Sequence, residues 1–372
     1  MAAGSARQLA ERGHDVTVLA PRHGGLPARR EEAGVEVLRV LPRTLVPQTF
    51  SDPPLVAVRA RALRGRSFDV LLAHQASLAA GLLAARLGTP LALFFHASVP
   101  RELRFARAQQ PVGLARAVGY VLEPPLVMYE RLAVRRADGI LILSEFSRSL
   151  LETDYPGHGA RARKVPGAID TEAFSPGPRE RLRADLGLDE DTRLLLTVRR
   201  LEPRMGLENL LEAFALVRRE SDAVLAVAGT GSLESELRAR AGALGIESRV
   251  RFLGMVSDRQ LLALYRGADL FVLPTVAYEG FGMVTAEALA CGTPVVGTPV
   301  GATPELLEPL DARLVAPGAD APSLAEAIAG ALLRTGPELR TSCRDYAVRR
   351  FSWTTAAPVW EAALEEIARP GL

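Results

Sequence analysis

The sequence predicts an α/β protein made of two Rossmann-like, doubly wound parallel-sheet domains facing across a cleft. Three observations carry this. Short apolar runs alternate with amphipathic stretches of helical period, the pattern of a parallel sheet covered on both faces. The alternation restarts at Leu194 (LLLTV), after a Pro- and Gly-rich stretch over 174–192 that contains Ser175-Pro176-Gly177-Pro178. The chain has 372 residues, too long for one ordinary core and suited to two.

Taken in order, residues 6–12 are helical in pattern and run into a Gly13-His14 turn. Strands are expected over 15–20, 35–40, 70–73, 91–95 and 139–143, each followed by turn residues or a helix-period segment. The second series has strands over 194–198, 224–228, 250–253, 270–273 and 294–297. Helices fall between them at 207–219, 233–243, 258–267 and 282–290. From Pro337 onward the chain is helical in pattern and carries Trp353 and Trp360. The expected organisation is an N-terminal domain over 1–175, a C-terminal domain over 176–345 and a helical segment over 346–372.

Composition narrows the function classes. Hydrophobic residues at 48% and charged residues at 24% exclude a disordered chain. A formal net charge of +2 points to no nucleic-acid partner. Cys291 and Cys343 lie far apart and match no metal spacing, which excludes a disulfide scaffold and fits a reducing compartment. Residues 1–12 lack the apolar core of a signal peptide, and the most apolar stretch, 77–99, is broken by Arg86, Gly88, Pro90 and His96. A cytoplasmic protein is expected, with contact at the inner face of a membrane as an option. Basic charge is almost all arginine, with Lys164 the one lysine, a pattern that genomic composition explains.

The strongest chemical signal is Glu279-Gly-Phe-Gly-Met-Val-Thr-Ala-Glu287, followed by Ala-Leu-Ala-Cys-Gly-Thr-Pro-Val-Val-Gly. Gly280 and Gly282 let the backbone approach a ligand at the start of a helix, where free N–H groups suit an anion. Glu287 falls inside that helix on an apolar face formed with Met283, Val284, Ala290 and Cys291. A carboxylate there needs a partner. An arginine in a core helix would serve, and so would sugar or ribose hydroxyls. The Gly-Phe-Gly turn and Glu279 together favour the hydroxyls. Arg200 follows the strand over 194–198, at the carboxyl end where α/β folds bind ligands, and a guanidinium there can clamp a diphosphate. His96 ends the strand over 91–95, and His74 follows the strand over 70–73 as a weaker candidate. Gly229-Thr-Gly231 reads equally as a tight βα turn.

On these residues the chain resembles the retaining glycosyltransferases of family 4, which have the GT-B fold. Glu279 and Glu287 match the E-x7-E motif of that fold. The likeness runs through Lys164-Val-Pro-Gly-Ala-Ile-Asp-Thr-Glu-Ala-Phe-Ser-Pro, Val198-Arg-Arg-Leu-Glu-Pro-Arg-Met-Gly, Ala228-Gly-Thr-Gly and Arg251-Phe-Leu-Gly. The resemblance implies that Glu279 holds hydroxyls of the transferred sugar and that backbone amides near Phe281, Gly282, Met283 and Val284 meet the sugar and diphosphate. It implies that Glu287 binds ribose, that His96 stands near the sugar, and that Gly229 lies near the nucleotide. In the family an Arg and a Lys five residues later share the diphosphate. Arg200 matches the Arg, but Met205 stands where the Lys would be, and arginine bias does not explain a methionine. Arg204 is adjacent and reads equally as a substitute or as a solvated surface charge.

Asp189-Glu-Asp191 has the D-x-D spacing of metal sites in other transferases, but it lies in a polar approach to a strand with no second ligand cluster, so a solvated turn is the reading and no metal is called for. Arg101, Arg104, Arg107 and Arg116, interleaved with Leu103, Phe105 and Leu114, read either as a membrane-docking segment or as a solvated helix face.

The function expected is transfer of a sugar from a UDP- or GDP-sugar, with retention, to an unidentified acceptor: a glycan, a lipid-linked sugar or a small molecule. No cofactor is implied. A front-face mechanism, in which the leaving phosphate takes the acceptor's proton, needs no protein nucleophile. Two rivals are a nucleotide-sugar epimerase and a non-catalytic homologue that binds nucleotide or a partner. The family also opens with a strand, a Gly-rich loop and a full helix before the turn matched by Gly13-His14. The strand and loop have no counterpart in residues 1–12, so the strand over 15–20 is expected at a sheet edge.

Overall fold

The computed structural model describes residues 2–21, 25–41, 48–109, 114–189, 191–219 and 221–369. They divide into two compact units, Met1–Gly167 with Trp353–Leu372, and Ala168–Ser352.

In the first unit, helix α1 (Ala2–Glu11) leads into β1 (Val16–Pro21), β2 (Arg29–Glu32), β3 (Val35–Leu41) and α2 (Gln48–Arg61). Then follow β4 (Leu71–Ala73), α3 (Ala76–Ala85), β5 (Leu91–Phe94), α4 (Val99–Gln109), α5 (Leu114–Arg136), β6 (Gly139–Ile142), α6 (Glu145–Asp154) and β7 (Ala162–Lys164). The strands form two sheets. One has the order β1-β3-β2, with β2 antiparallel, and the other, β4-β5-β6-β7, is parallel throughout. β1 stands at an edge of the first and β4 at an edge of the second, and among the described residues no strand pairs with the free side of either. Two strands lie outside the sequence reading. β2 is four charged, exposed residues with no apolar period, and β7 is a three-residue polar edge strand, so neither carries a hydrophobic signal.

β5 and β6 are buried at every position and centre a core with Ala133, Val134, Leu150 and Leu151 from the flanking helices. Full burial on both faces explains why these strands read as apolar runs.

The second unit contains α7 (Glu180–Asp185), β8 (Arg193–Val198), α8 (Leu207–Val217), β9 (Ala223–Ala228), α9 (Glu234–Ala243) and β10 (Val250–Gly254). It continues with α10 (Asp258–Gly267), β11 (Leu270–Leu273), α11 (Met283–Ala290), β12 (Val295–Gly297), α12 (Thr303–Asp311), α13 (Ala321–Leu332) and α14 (Pro337–Phe351). Its sheet is all parallel, in the order β10-β9-β8-β11-β12. That order is doubly wound, and the strand order reverses between β8 and β11, the place where such sheets open a ligand crevice. Helix α11 is anchored at its far end: Arg344 of α14 donates from Nη1 to Ala290 O at 2.9 Å, and to Thr171 O and Phe174 O at 2.8 Å. A cation at a helix carboxyl end satisfies orphan carbonyls and complements the dipole.

The last helix, α15 (Trp353–Ala368), packs in the first unit. The Trp360 ring stacks on Phe94 with centroids 5.1 Å apart, and its indole N–H donates to Pro166 O at 2.9 Å. Trp353 lies against Gly4 of α1, and Ile367 fills the space that a side chain at Gly139 would take. Among the described residues no helix is long and apolar enough to cross a membrane. Cys291 and Cys343 are free and buried, and burial pushes both thiols up to about 12.

Candidate active site

The switch point of the second unit gathers most of the residues that the sequence singles out. β8 delivers Arg199 and Arg200 at its carboxyl end, β9 delivers Gly229, and β11 leads through Thr275 to Glu279 and the Gly280-Phe281-Gly282 turn. Gly282 has φ 84° and caps α11 with no side-chain hydrogen bond to its first amides. The amides of Met283 and Val284 open that helix. In the same turn, Thr285 Oγ1 is buried with no hydrogen-bond partner among the described residues. A helix start of this kind suits an anion. The Phe281 side chain takes no part in the opening. Its ring packs edge-on to Phe351, centroids 5.8 Å apart, so only its backbone can serve a ligand.

The two carboxylates differ in their partners. Glu279 is buried. Its Oε2 accepts from Arg199 Nη1 at 2.8 Å and from Thr275 Oγ1 at 2.9 Å. Among the described residues Glu287 is held by no arginine. Its Oε2 accepts the Tyr265 O–H at 2.8 Å. Burial raises the Glu287 carboxyl above its ordinary value, and the Tyr265 hydrogen bond pulls it back. Burial also holds Tyr265 well above the usual phenol range, so it remains a donor. The loop before Glu279 is strained: Tyr278 has φ 57°, a left-handed conformation that a bulky residue rarely adopts.

The arginines sort by depth. Arg200 is exposed and makes no side-chain hydrogen bond or ion pair among the described residues, which leaves it available to a ligand. Arg204 is half-buried, with Nη1 3.3 Å from Tyr278 O. Arg199, which sequence reasoning passed over, is the buried one, with its side chain 6% exposed. Met205 is buried too, with Sδ 2.8 Å from Arg199 Nη2. At Gly229 a Cβ would sit 1.8 Å from Arg199 O, so glycine is required there to bring the ends of β8 and β9 together.

In the first unit, His74 and His96 meet at the ends of β4 and β5. His74 Nδ1 is 3.3 Å from His96 Nε2, and both rings pack on Phe94. Crowding lowers His74 to about 4, and crowding plus the neighbouring His74 lowers His96 to about 3, although one side of the His96 ring stays open to solvent. Both imidazoles are therefore neutral near neutral pH. The segment just after His96 hangs on Glu130 of α5, a residue with no distinguishing sequence signal. Glu130 Oε1 accepts from Ser98 Oγ at 2.8 Å and Tyr155 O–H at 2.9 Å, and Oε2 accepts from Val99 N at 3.1 Å. Burial outweighs these bonds and pushes Glu130 up to about 7.

The basic segment over 101–116 resolves into parts of α4 and α5. Arg101 pairs with Asp154, and Arg104 and Arg107 both pair with Glu123. The Arg116 side chain lies outside the described residues. Asp189 and Asp191 are both exposed.

The chain superposes on sucrose-phosphate synthase from Thermosynechococcus elongatus with TM-score 0.79 at 22% identity, covering 96% of this chain and 90% of that one. It superposes on the Anabaena protein HepE in complex with UDP and glucose with TM-score 0.75 at 20% identity, covering 97% and 94%. The fold is the GT-B class, two Rossmann-like domains each built on a parallel sheet. Residues 178–350 match the model of glycosyl transferases group 1, and residues 2–173 match that of Glycosyltransferase Family 4. An MMP alpha-(1->4)-mannosyltransferase of Mycolicibacterium hassiacum is 32% identical over 97% of this chain and 93% of its own. A phosphatidyl-myo-inositol mannosyltransferase of Mycobacterium leprae is 31% identical over 98% and 92%. The chain belongs to glycosyltransferase family 4.

Glu130 makes stability depend on pH. Its folded value, about 7, lies above the ordinary 4.5, so the folded state binds the proton more tightly and stability falls as pH rises between the two. The histidines act oppositely, adding stability as pH rises from about 4 toward 6.5. Glu130→Gln is expected to remove the fall. Relative to the parent, the variant should gain about 2–3 kcal/mol between about pH 4.5 and pH 8, read by urea denaturation. A parent–variant difference that does not change with pH would show that Glu130 is not held as a buried acid.

Proposed function

We propose that this family 4 enzyme transfers a hexosyl group from a nucleoside-diphosphate sugar to an acceptor hydroxyl, with retention and without a metal ion. The observation that supports this best is the pair of carboxylates, buried Glu279 and half-buried Glu287, on either side of an uncapped helix start at the switch point. In this reading the α11 amides and Arg200 take the diphosphate, Glu287 takes ribose hydroxyls on the oxygen that Tyr265 leaves free, and Glu279 takes hydroxyls of the transferred sugar. Gly229 and Gly280 keep the backbone close to the nucleotide. Arg204 holds the Tyr278 carbonyl and acts on the loop, and His96 is assigned to the sugar and acceptor side as a neutral imidazole.

The bond from the anomeric carbon to the diphosphate oxygen breaks, and a bond to the acceptor oxygen forms on the same face. The acceptor's proton passes to the leaving phosphate. Charge on that phosphate is met by Arg200 and backbone N–H groups, so no metal ion is required. One relative in Mycolicibacterium smegmatis is named as GDP-mannose-dependent, and HepE binds UDP and glucose, so GDP and UDP sugars are the donors to try. Relatives named for D-inositol 3-phosphate and phosphatidylinositol monomannoside point to a polyhydroxylated, glycolipid-type acceptor. Peripheral membrane contact is then assigned to α5 rather than α4. Tyr120, Val121 and Met128 are 55%, 73% and 56% exposed on that helix, and Arg131, Arg135 and Arg136 are exposed toward its end.

Glu279→Gln should lower transfer by roughly a hundredfold with nucleotide affinity near that of the parent, whereas Glu287→Ala should weaken nucleotide binding itself by about tenfold. Intact transfer in Glu279→Gln would refute the site assignment. In the same assay activity should survive a chelator, and loss that manganese restores would refute the metal-free reading. For α5, sedimentation with phosphatidylglycerol vesicles should fall in Val121→Asp combined with Met128→Asp. Equal sedimentation of variant and parent would remove α5 as the contact.

A further inference from the structure

Three arginines occupy the segment from the end of β8 to the start of α8, and only Arg199 is buried. Its backbone is pinned on both sides. Its N–H donates to Ala228 O at 2.9 Å, and its carbonyl presses on Gly229 so closely that no Cβ fits there. Its side chain is consequently carried to one place. Nη1 donates to Glu279 Oε2, and Nη2 lies against Met205 Sδ, each at 2.8 Å. A thioether is a weak acceptor, so Met205 gives the guanidinium a soft apolar wall and no counter-charge. The charge of Arg199 also acts on Tyr265, the donor to Glu287. One cation thus holds the first carboxylate of the motif and acts on the tyrosine that holds the second.

We propose that Arg199 is the buried positive charge of the donor site, orienting Glu279 toward the sugar and offsetting part of the diphosphate charge, while Met205 is the uncharged partner that leaves room for it. The two positions form one unit, because a cation at residue 205 would meet the Arg199 guanidinium, which pairs with Glu279 and with no second carboxylate among the described residues. This rests on the donor reading above. It predicts that Met205→Lys alone weakens binding, although adding a cation beside a diphosphate would ordinarily strengthen it.

The test uses the full chain and isothermal titration with UDP and with GDP. Arg199→Ser should weaken binding by about a hundredfold and Met205→Lys by about tenfold, while the double variant should return to within about tenfold of the parent. Independent, additive effects of the two substitutions, or parent-like binding in Arg199→Ser, would overturn the role of Arg199 and leave the donor reading standing. Failure of the parent to bind either nucleotide would overturn the donor reading and this inference with it. Should Arg199→Ser not fold, Arg199→Lys and Arg199→Met make the same comparison. The charge-conserving Lys must keep binding where Met loses it, and equal loss in both overturns the proposal.

Discussion

The second unit is organised around one buried ion pair, Arg199 to Glu279. Both side chains are almost fully out of water, 6% and 11% exposed, where an uncompensated charge costs several kcal/mol. The pair can persist only if its geometry is held, and the surrounding sequence holds it. Gly229 admits the Arg199 backbone, Thr275 adds a second hydrogen bond to the same carboxylate oxygen, and Tyr278 accepts a left-handed backbone to turn Glu279 inward. Gly229 follows β9, and Thr275 and Tyr278 follow β11, the two strands that flank β8 in one parallel sheet. The doubly wound order places those ends together, so fold and site follow from the same topology.

The first unit has a parallel constraint of opposite sign. Its buried carboxyl, Glu130, pairs with no cation among the described residues. It holds Ser98, Val99 and Tyr155 through hydrogen bonds alone, and burial therefore drives it toward the neutral acid. The histidines beside it are driven the same way, toward loss of charge. The buried Arg199–Glu279 ion pair lies in the unit that carries the Glu279–Glu287 motif, and the His74–His96 corner is a neutral, hydrogen-bonding surface.

Much of this was legible in the residues. The fully buried strands show as apolar runs because both faces are covered, and the Gly-Phe-Gly turn before a helix is visible because glycine at φ 84° has no cheap substitute. Other parts carry no such mark. β2 is four charged residues whose pairing is set by its neighbour β3 rather than by its own pattern. Arg199 sits beside Arg200 in an arginine-rich chain, and nothing in the letters tells which of the two turns inward. That is decided by strand alternation and by Gly229 thirty positions away. Glu130 falls on a helix whose exposed residues are largely apolar, so its burial is a tertiary fact.

The contrast between Glu279 and Glu287 follows from this difference in partners. A carboxylate gripped by a guanidinium is fixed in direction and cannot swing to follow a ligand, which suits a group that must meet one sugar in one pose. A carboxylate that shares one oxygen with a tyrosine hydroxyl is less tightly fixed, and its second oxygen can accept from a ribose diol. An arginine on Glu287 would have met the same burial cost while competing with the diphosphate for positive charge. With Tyr265 as the neutral partner, the proposed donor site keeps its cations, buried Arg199 and exposed Arg200, for the phosphates. The division of labour between the two carboxylates is thus a consequence of which one received the charged neighbour.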